Sequence, residues 1–218
     1  MKKIILMPLT ITLALCASCT GGGKKQQENA AETAKEPVVL TDPAKWEEVY
    51  TRITPAEIPG NPIELIGKGW MLITSGTQEG YNTMTASWGA LGEVWSLPTA
   101  FITVRNTRYT NQFLEKNDTF TLSFFDEGYR PALQLLGTKS GRDGDKVAEA
   151  GLTPVATPGG SMSFGEARMV LECRKLYADP MEREKLAPEV AAKIYGNTPA
   201  EEYHILYAGE ITAAWIKR

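Results

Sequence analysis

The chain has 218 residues, with 23 Lys plus Arg against 26 Asp plus Glu and a formal net charge of −3. That mildly acidic balance carries no electrostatic footprint for nucleic acid. A single histidine excludes a histidine-rich metal site, and the length leaves about one domain once a leader is set aside.

The chain opens on Lys2 and Lys3, followed by an apolar run from Ile4 to Leu15. That run is too short to span a bilayer, so residues 1–18 read as a signal peptide. Small residues precede Cys19, and a cysteine just past such a cleavage site resembles a bacterial lipobox. Cys16 stands where those boxes usually carry leucine. An ordinary secretory leader with an incidental cysteine is the plainer reading; the lipobox reading makes Cys19 the lipidation site. Residues 19–38 are polar and glycine-led, the composition of a flexible tether. Residues 39–218 make the folded domain. The expectation is an exported lipoprotein of the bacterial cell envelope, touching the membrane only through its anchor. Cleavage and acylation would leave Cys173 as the sole thiol, so no intramolecular disulfide can form. Cys173 alternates with Ala167, Met169 and Leu171 and reads as a buried apolar residue.

Within the domain, Thr41-Asp42-Pro43 starts a short helix that carries Trp46, Val49 and Tyr50 on one face. Strands are predicted at Trp70 to Ser75 and Thr83 to Trp88, joined by a Gly76–Gly80 turn. A glycine-rich turn, Gly89 to Gly92, leads to a strand from Ala100 to Val104. Thr119 to Phe124 alternates, with Phe120, Leu122 and Phe124 on one face. Longer strands run from Arg168 to Tyr177 and from His204 to Ile216. Helices are predicted over Arg108–Lys116, Tyr129–Leu136, Gly141–Ala150 and Lys185–Tyr195. The last carries a core-facing stripe of Leu186, Val190, Ala191 and Ile194. This count and pattern suit a mainly β fold, a small barrel with peripheral helices, better than a parallel sheet.

Familiar catalytic sets are absent. The folded domain, residues 39–218, has no CxxC pair (Cys16 and Cys19 have that spacing but lie in the leader segment), no GxSxG and no GxGxxG, and Thr138 replaces the glycine that a P-loop needs before Lys139. The informative stretch runs from Asn82 to Thr110. It joins a small-polar strand ending in Trp88 to a second strand ending in Arg105-Asn106-Thr107-Arg108-Tyr109-Thr110. Small hydroxyl residues let backbone approach a flat ligand, and arginines supply forked donors for phosphate. A β-hairpin with a solvated basic turn has the same composition. Lys139 to Asp143, followed by Lys146, is equally consistent with a solvated loop in which Ser140 caps a helix and Asp143 lies in its first turn.

Four blocks in order resemble the flavin reductase-like proteins with an FMN-binding split barrel, close to flavoredoxin. They are NTMTASWG at 82–89, RNTRYT at 105–110, FTLSFFDEGYRPALQLLGTKSGRDGDK at 120–146 and YHILYAGEI at 203–211. The resemblance runs from about Gly60 to Trp215. It implies the split-barrel fold, bound FMN, a homodimer and a reaction carried by the flavin itself. Flavin contacts in flavoredoxin-like proteins match Asn82, Trp88, Thr110, Lys139 and Ser140. Some relatives have cysteine at the position of Ser140. On this reading Trp88 walls the flavin ring, Thr83, Thr85 and Ser87 meet its polar edge, and Arg105, Arg108 and Thr110 hold the phosphate. Met84, Tyr109, Gly141 and Arg142 complete the expected cofactor-binding set. His204 is the candidate for a catalytic role, with a structural role the commoner fate of a lone histidine. Glu210, six residues on along an extended strand, is too far to form a dyad with it.

The resemblance implies hydride or electron transfer through FMN, with NAD(P)H or another electron carrier as donor. An exported flavin carrier without its own turnover, or a barrel that serves as an interaction module without flavin, are the alternatives.

Overall fold

The computed structural model describes residues 39–218; the leader, Cys19 and the tether lie outside the described residues. Ten strands form: β1 Tyr50–Ile53, β2 Met71–Thr77, β3 Gly80–Ala86, β4 Gly89–Val94, β5 Leu97–Arg105, β6 Thr119–Phe124, β7 Pro154–Ala156, β8 Met162–Phe164, β9 Met169–Pro180 and β10 His204–Lys217. Strands β3-β2-β6-β9-β10-β5-β4 pair in that order, all antiparallel, and β1 adds to β10. The end strands of that order, β3 and β4, are joined by only Ser87 and Trp88. The sheet must therefore curl until its two ends meet, leaving a split instead of a final ladder. This is the mainly β class expected from the strand pattern and the split barrel that the resemblance implies.

The barrel interior is apolar. Met71, Ile73, Ile102, Val104, Phe120, Leu122, Phe124, Leu171 and Cys173 pack there, all essentially inaccessible. Burial pushes the Cys173 thiol well above its ordinary range, so it is inert packing. A second apolar cluster covers part of the outer face. In it Leu72, Val170 and Trp215 meet Trp46, Tyr50, Leu133, Leu136, Val155 and Phe164. The β7–β8 hairpin lies over β6, so the polar face of β6 is buried as well. Thr121 donates to the Met162 carbonyl at 2.7 Å, and Ser123 and Ser163 share a 2.9 Å hydrogen bond.

Several local expectations change. Residues 89–92 are not a turn but part of β4. The reversal comes at Trp95 and Ser96, both with positive φ (58° and 57°), because Val94 pairs with Leu97 and leaves only two residues for the bend. Tyr50 is not on the first helix but opens β1, where its hydroxyl donates to the Ala167 carbonyl at 2.7 Å. The helix expected over 141–150 shrinks to Lys146–Glu149, since Asp145 and not Ser140 is the cap: its Oδ1 accepts from the N–H groups of Val147 and Ala148. The helix expected over 185–195 breaks into short turns, Arg183–Lys185, Pro188–Val190 and a π-type turn Ala191–Tyr195. Its inward residues are Ala191 and Tyr195, while Val190 is exposed.

Of three further helices, α1, Trp46–Val49, packs in the lead-in, while α2, Tyr109–Lys116, after β5 and α3, Arg130–Thr138, after β6 border the site. The Lys146–Glu149 helix is α4. Among the described residues, no helix is long and apolar enough to cross a membrane.

Candidate functional site

The end of β5, the start of α2 and the loop after α3 enclose a cleft of about 270 Å³. Arg105, Thr107, Arg108, Tyr109 and Thr110 line one side, and Lys139, Ser140, Gly141 and Arg142 the other, with Asn82 and Met84 as floor. The loop is drawn tight onto the floor: a Cβ on Gly141 would collide with the Asn82 Oδ1. The Asn82 amide donates to Thr110 Oγ1 at 2.7 Å, fixing the first turn of α2. The first N–H groups of a helix have no intrahelical acceptor and suit an anion.

Cations dominate this cleft. Arg108 reaches the Gly137 carbonyl at 3.4 Å, and Arg142 donates to the Thr107 carbonyl at 3.3 Å while covering the Tyr109 ring at 4.8 Å. Lys139 pairs with Glu149. Among the described residues, no carboxylate forms an ion pair with Arg105, Arg108 or Arg142. Lys146 is nearly buried, and its ammonium donates to the carbonyls of Leu136 (3.0 Å) and Lys139 (3.1 Å). Leu136 lies in the last turn of α3 and Lys139 directly follows the helix, so Lys146 caps that end and holds the loop. Burial, then the nearby Arg108 charge, lowers its pKa to about 8.

A second cavity of about 260 Å³ adjoins the first at the barrel split, and the two share Met84, Arg105 and Arg108. Thr85, Ala86, Ser87, Trp88, Thr103 and His204 line it. Trp88 is 45% exposed, and its ring lies 5.0 Å from that of His204. Burial first, then Arg105 and Arg108, lower the His204 pKa to about 4, so the imidazole is neutral at pH 7. The Thr103 hydroxyl is buried with no hydrogen-bond partner. An unpaired buried hydroxyl is costly, and this one lines the cavity, where a ligand atom would be within its reach.

The structure brings together Asn82, Met84, Arg105, Arg108, Tyr109, Thr110, Lys139, Ser140, Gly141 and Arg142 in the first cavity. It brings Thr85, Ser87, Trp88 and His204 together in the second. Thr83 lines neither: its hydroxyl is bonded to Thr74 Oγ1 at 2.9 Å, away from the split. The Thr85 hydroxyl donates to the Leu133 carbonyl at 2.5 Å, leaving it only as an acceptor. Thr103, Thr107 and Lys146 also line these cavities but were outside the expected set. Thr103 was within reach of sequence reasoning, lying two residues before Arg105 on the same strand face. Among the described residues, no cluster of His, Cys, Asp or Glu could hold a metal ion.

A family model described as "Flavin reductase like domain" matches residues 63–218. No curated protein matches the chain. Among solved structures, it is similar to the FMN-binding domain of a flavin reductases-like enzyme from Shewanella baltica OS155. That match has a TM-score of 0.56 and 16% identity, and covers 77% of this chain and 76% of the other. It is also similar to the flavoredoxin of Desulfovibrio vulgaris (Miyazaki F), with a TM-score of 0.52, 21% identity and coverage of 67% and 68%. A third is the NADH:FAD oxidoreductase of Streptomyces globisporus C-1027, with a TM-score of 0.53, 18% identity and coverage of 69% and 78%.

Proposed function

Because the chain belongs to the flavin reductase-like family, we propose that it is an FMN-binding oxidoreductase, with the flavin phosphate in the basic cleft and the ring system beside Trp88. The supporting observation is that two adjoining cavities share Arg105 and Arg108, the first adding Lys139, Arg142 and the start of α2, the second adding Trp88, His204 and the unpaired Thr103 hydroxyl. That order of chemistry fits a phosphate, a polyol and a flat ring. Arg105 and Arg108 supply charge-assisted donors to a phosphate, joined by the N-terminus of α2. Arg142 closes over the phosphate from the opposite wall. Thr103 and Ser87 offer hydroxyls to the polar ring edge, and Trp88 walls one side.

When bound, the flavin supplies the hydride and one-electron chemistry. The protein's residues orient the ring, shield it from water and, through neutral His204, leave the site with a hydrogen-bonding group that does not add another positive charge. The test is the visible spectrum of the purified protein, followed by release and identification of its chromophore. A flavin band with FMN released is expected. A colourless protein that does not take up added FMN would favour the interaction-module reading.

The leader favours a second, finer proposal. An exported protein anchored at Cys19 would meet little free NADH or NADPH, so its flavin would take electrons from another carrier. No motif retains a nicotinamide nucleotide, although a nucleotide that stacks transiently needs none.

A further inference from the structure

The segment between β9 and β10 is not used by the reading above, yet it reaches the site. It places Tyr195 at the end of the π-type turn Ala191–Tyr195, 5% exposed. Gly196, at φ 52°, ends that turn and sends the chain back toward β10. Tyr195 is held on several sides. Its ring stacks on Tyr203 at 3.9 Å and 10°, and the Arg105 guanidinium lies 5.9 Å from its centroid. Arg183 braces the stack, donating to the Tyr203 hydroxyl at 3.0 Å and to the Gly196 carbonyl at 3.2 Å. What this bracket presents to the site is one hydroxyl, 2.9 Å from His204 Nδ1.

We propose that Tyr195 is a positioning residue that sets the tautomer and orientation of His204, leaving Nε2–H as a donor aimed into the cavity beside Trp88. The direction of the bond follows from the available acceptors. The Tyr195 hydroxyl has one proton. Its other neighbour is the Met181 thioether sulfur at 3.5 Å, a weak acceptor. An imidazole nitrogen is the better acceptor, so the hydroxyl donates to Nδ1 and the ring proton resides on Nε2. Arg105 and Arg108, on the facing strand and its following turn, disfavour the doubly protonated ring. Trp88 on one side and Tyr195 on the other limit ring rotation. Nε2 has no hydrogen-bond partner among the described residues, and His204 lines the cavity. A donor placed there suits a carbonyl or developing anionic atom of a bound ring or acceptor.

The role toward a bound ring rests on the FMN reading; the tautomer does not, and the experiment separates them. His204 is the only histidine, so ¹⁵N imidazole spectra of the full chain are unambiguous. Without FMN, the expected pattern is an unprotonated, hydrogen-bonded Nδ1 and a protonated Nε2. In Tyr195→Phe, which keeps the ring stack, the Nδ1 signal should move. A protonated Nδ1 in the native protein, or an Nδ1 signal unchanged in the variant, would overturn the proposal. With FMN added, the variant should bind about 5-fold more weakly, the scale of one neutral hydrogen bond. Unchanged FMN affinity alongside a changed Nδ1 signal would remove the contact with the ring and leave FMN binding itself intact.

Discussion

Arg105 and Arg108 lie beside a partly buried imidazole and are not neutralised by any described carboxylate, an arrangement that costs the empty protein stability and favours an anion. A charge-assisted contact is worth on the order of 1.5–3 kcal/mol. Replacing either arginine by alanine should therefore weaken FMN by at least about 10-fold and riboflavin much less, in a fluorescence titration with both ligands. Equal losses would remove the phosphate from this cleft. The same charges give His204 a testable pH behaviour. Its pKa is lowered to about 4, by burial and then by Arg105 and Arg108. Between that value and the ordinary 6.5, the unfolded chain binds a proton that the native protein does not. The contribution is fully present above pH 6.5 and is lost as pH falls toward 4. Urea midpoints should drop across that window, and His204→Gln should flatten the drop.

At the scale of elements, two short stretches carry most of the conformational demand. The β4–β5 turn puts Trp95 and Ser96 in the left-handed region, where side chains other than glycine or asparagine are disfavoured. Replacing them with Asn-Gly should stabilise the protein by about 1–2 kcal/mol, read as a higher thermal midpoint. The 139–142 loop makes the opposite case. Gly141 lets it approach Asn82, which in turn fixes Thr110 at the start of α2. Gly141→Ala should push the loop off the cleft and lower FMN affinity with little change in melting temperature, since the loop contributes no side chain to either apolar cluster. Isothermal titration beside calorimetric melting checks both halves of that expectation.

At the scale of the whole molecule, β4 is one of the two end strands of the main sheet, and Trp88 and Trp95 are exposed at its two ends. This supports the proposal of a homodimer, testable by light scattering on the purified domain. The anchored, exported state is a separate proposal. Cys19→Ala should release the protein into the soluble fraction, since one acyl chain alone binds a membrane only marginally and the anchor needs several. A variant that stays with the membrane would exclude the lipobox. The electron donor is read by anaerobic stopped-flow mixing with NADH and NADPH. Slow, unsaturated bleaching of the flavin band fits another carrier as donor, whereas rapid bleaching with a micromolar constant restores nicotinamide reduction.

The period-2 spacing of Phe120, Leu122 and Phe124 and of Met169, Leu171 and Cys173 made the β class legible from sequence, because alternation is dictated by which strand face meets the core. The order of the four motif blocks made the family legible too. The N-cap of α4, the break of the 185–195 helix and the true turn at Trp95–Ser96 were not legible. Local propensity is weak there, and ladder register or a competing cap decides. Nor could sequence order reveal that Thr83 turns away from the split, that Thr103 is left unpaired inside it, or that Tyr195 meets His204. Each depends on how the sheet curls to bring β3 and β4 together. Residue types were set by the chain's one-dimensional pattern, whereas the pairing of polar atoms across the split was decided only when the barrel closed around them.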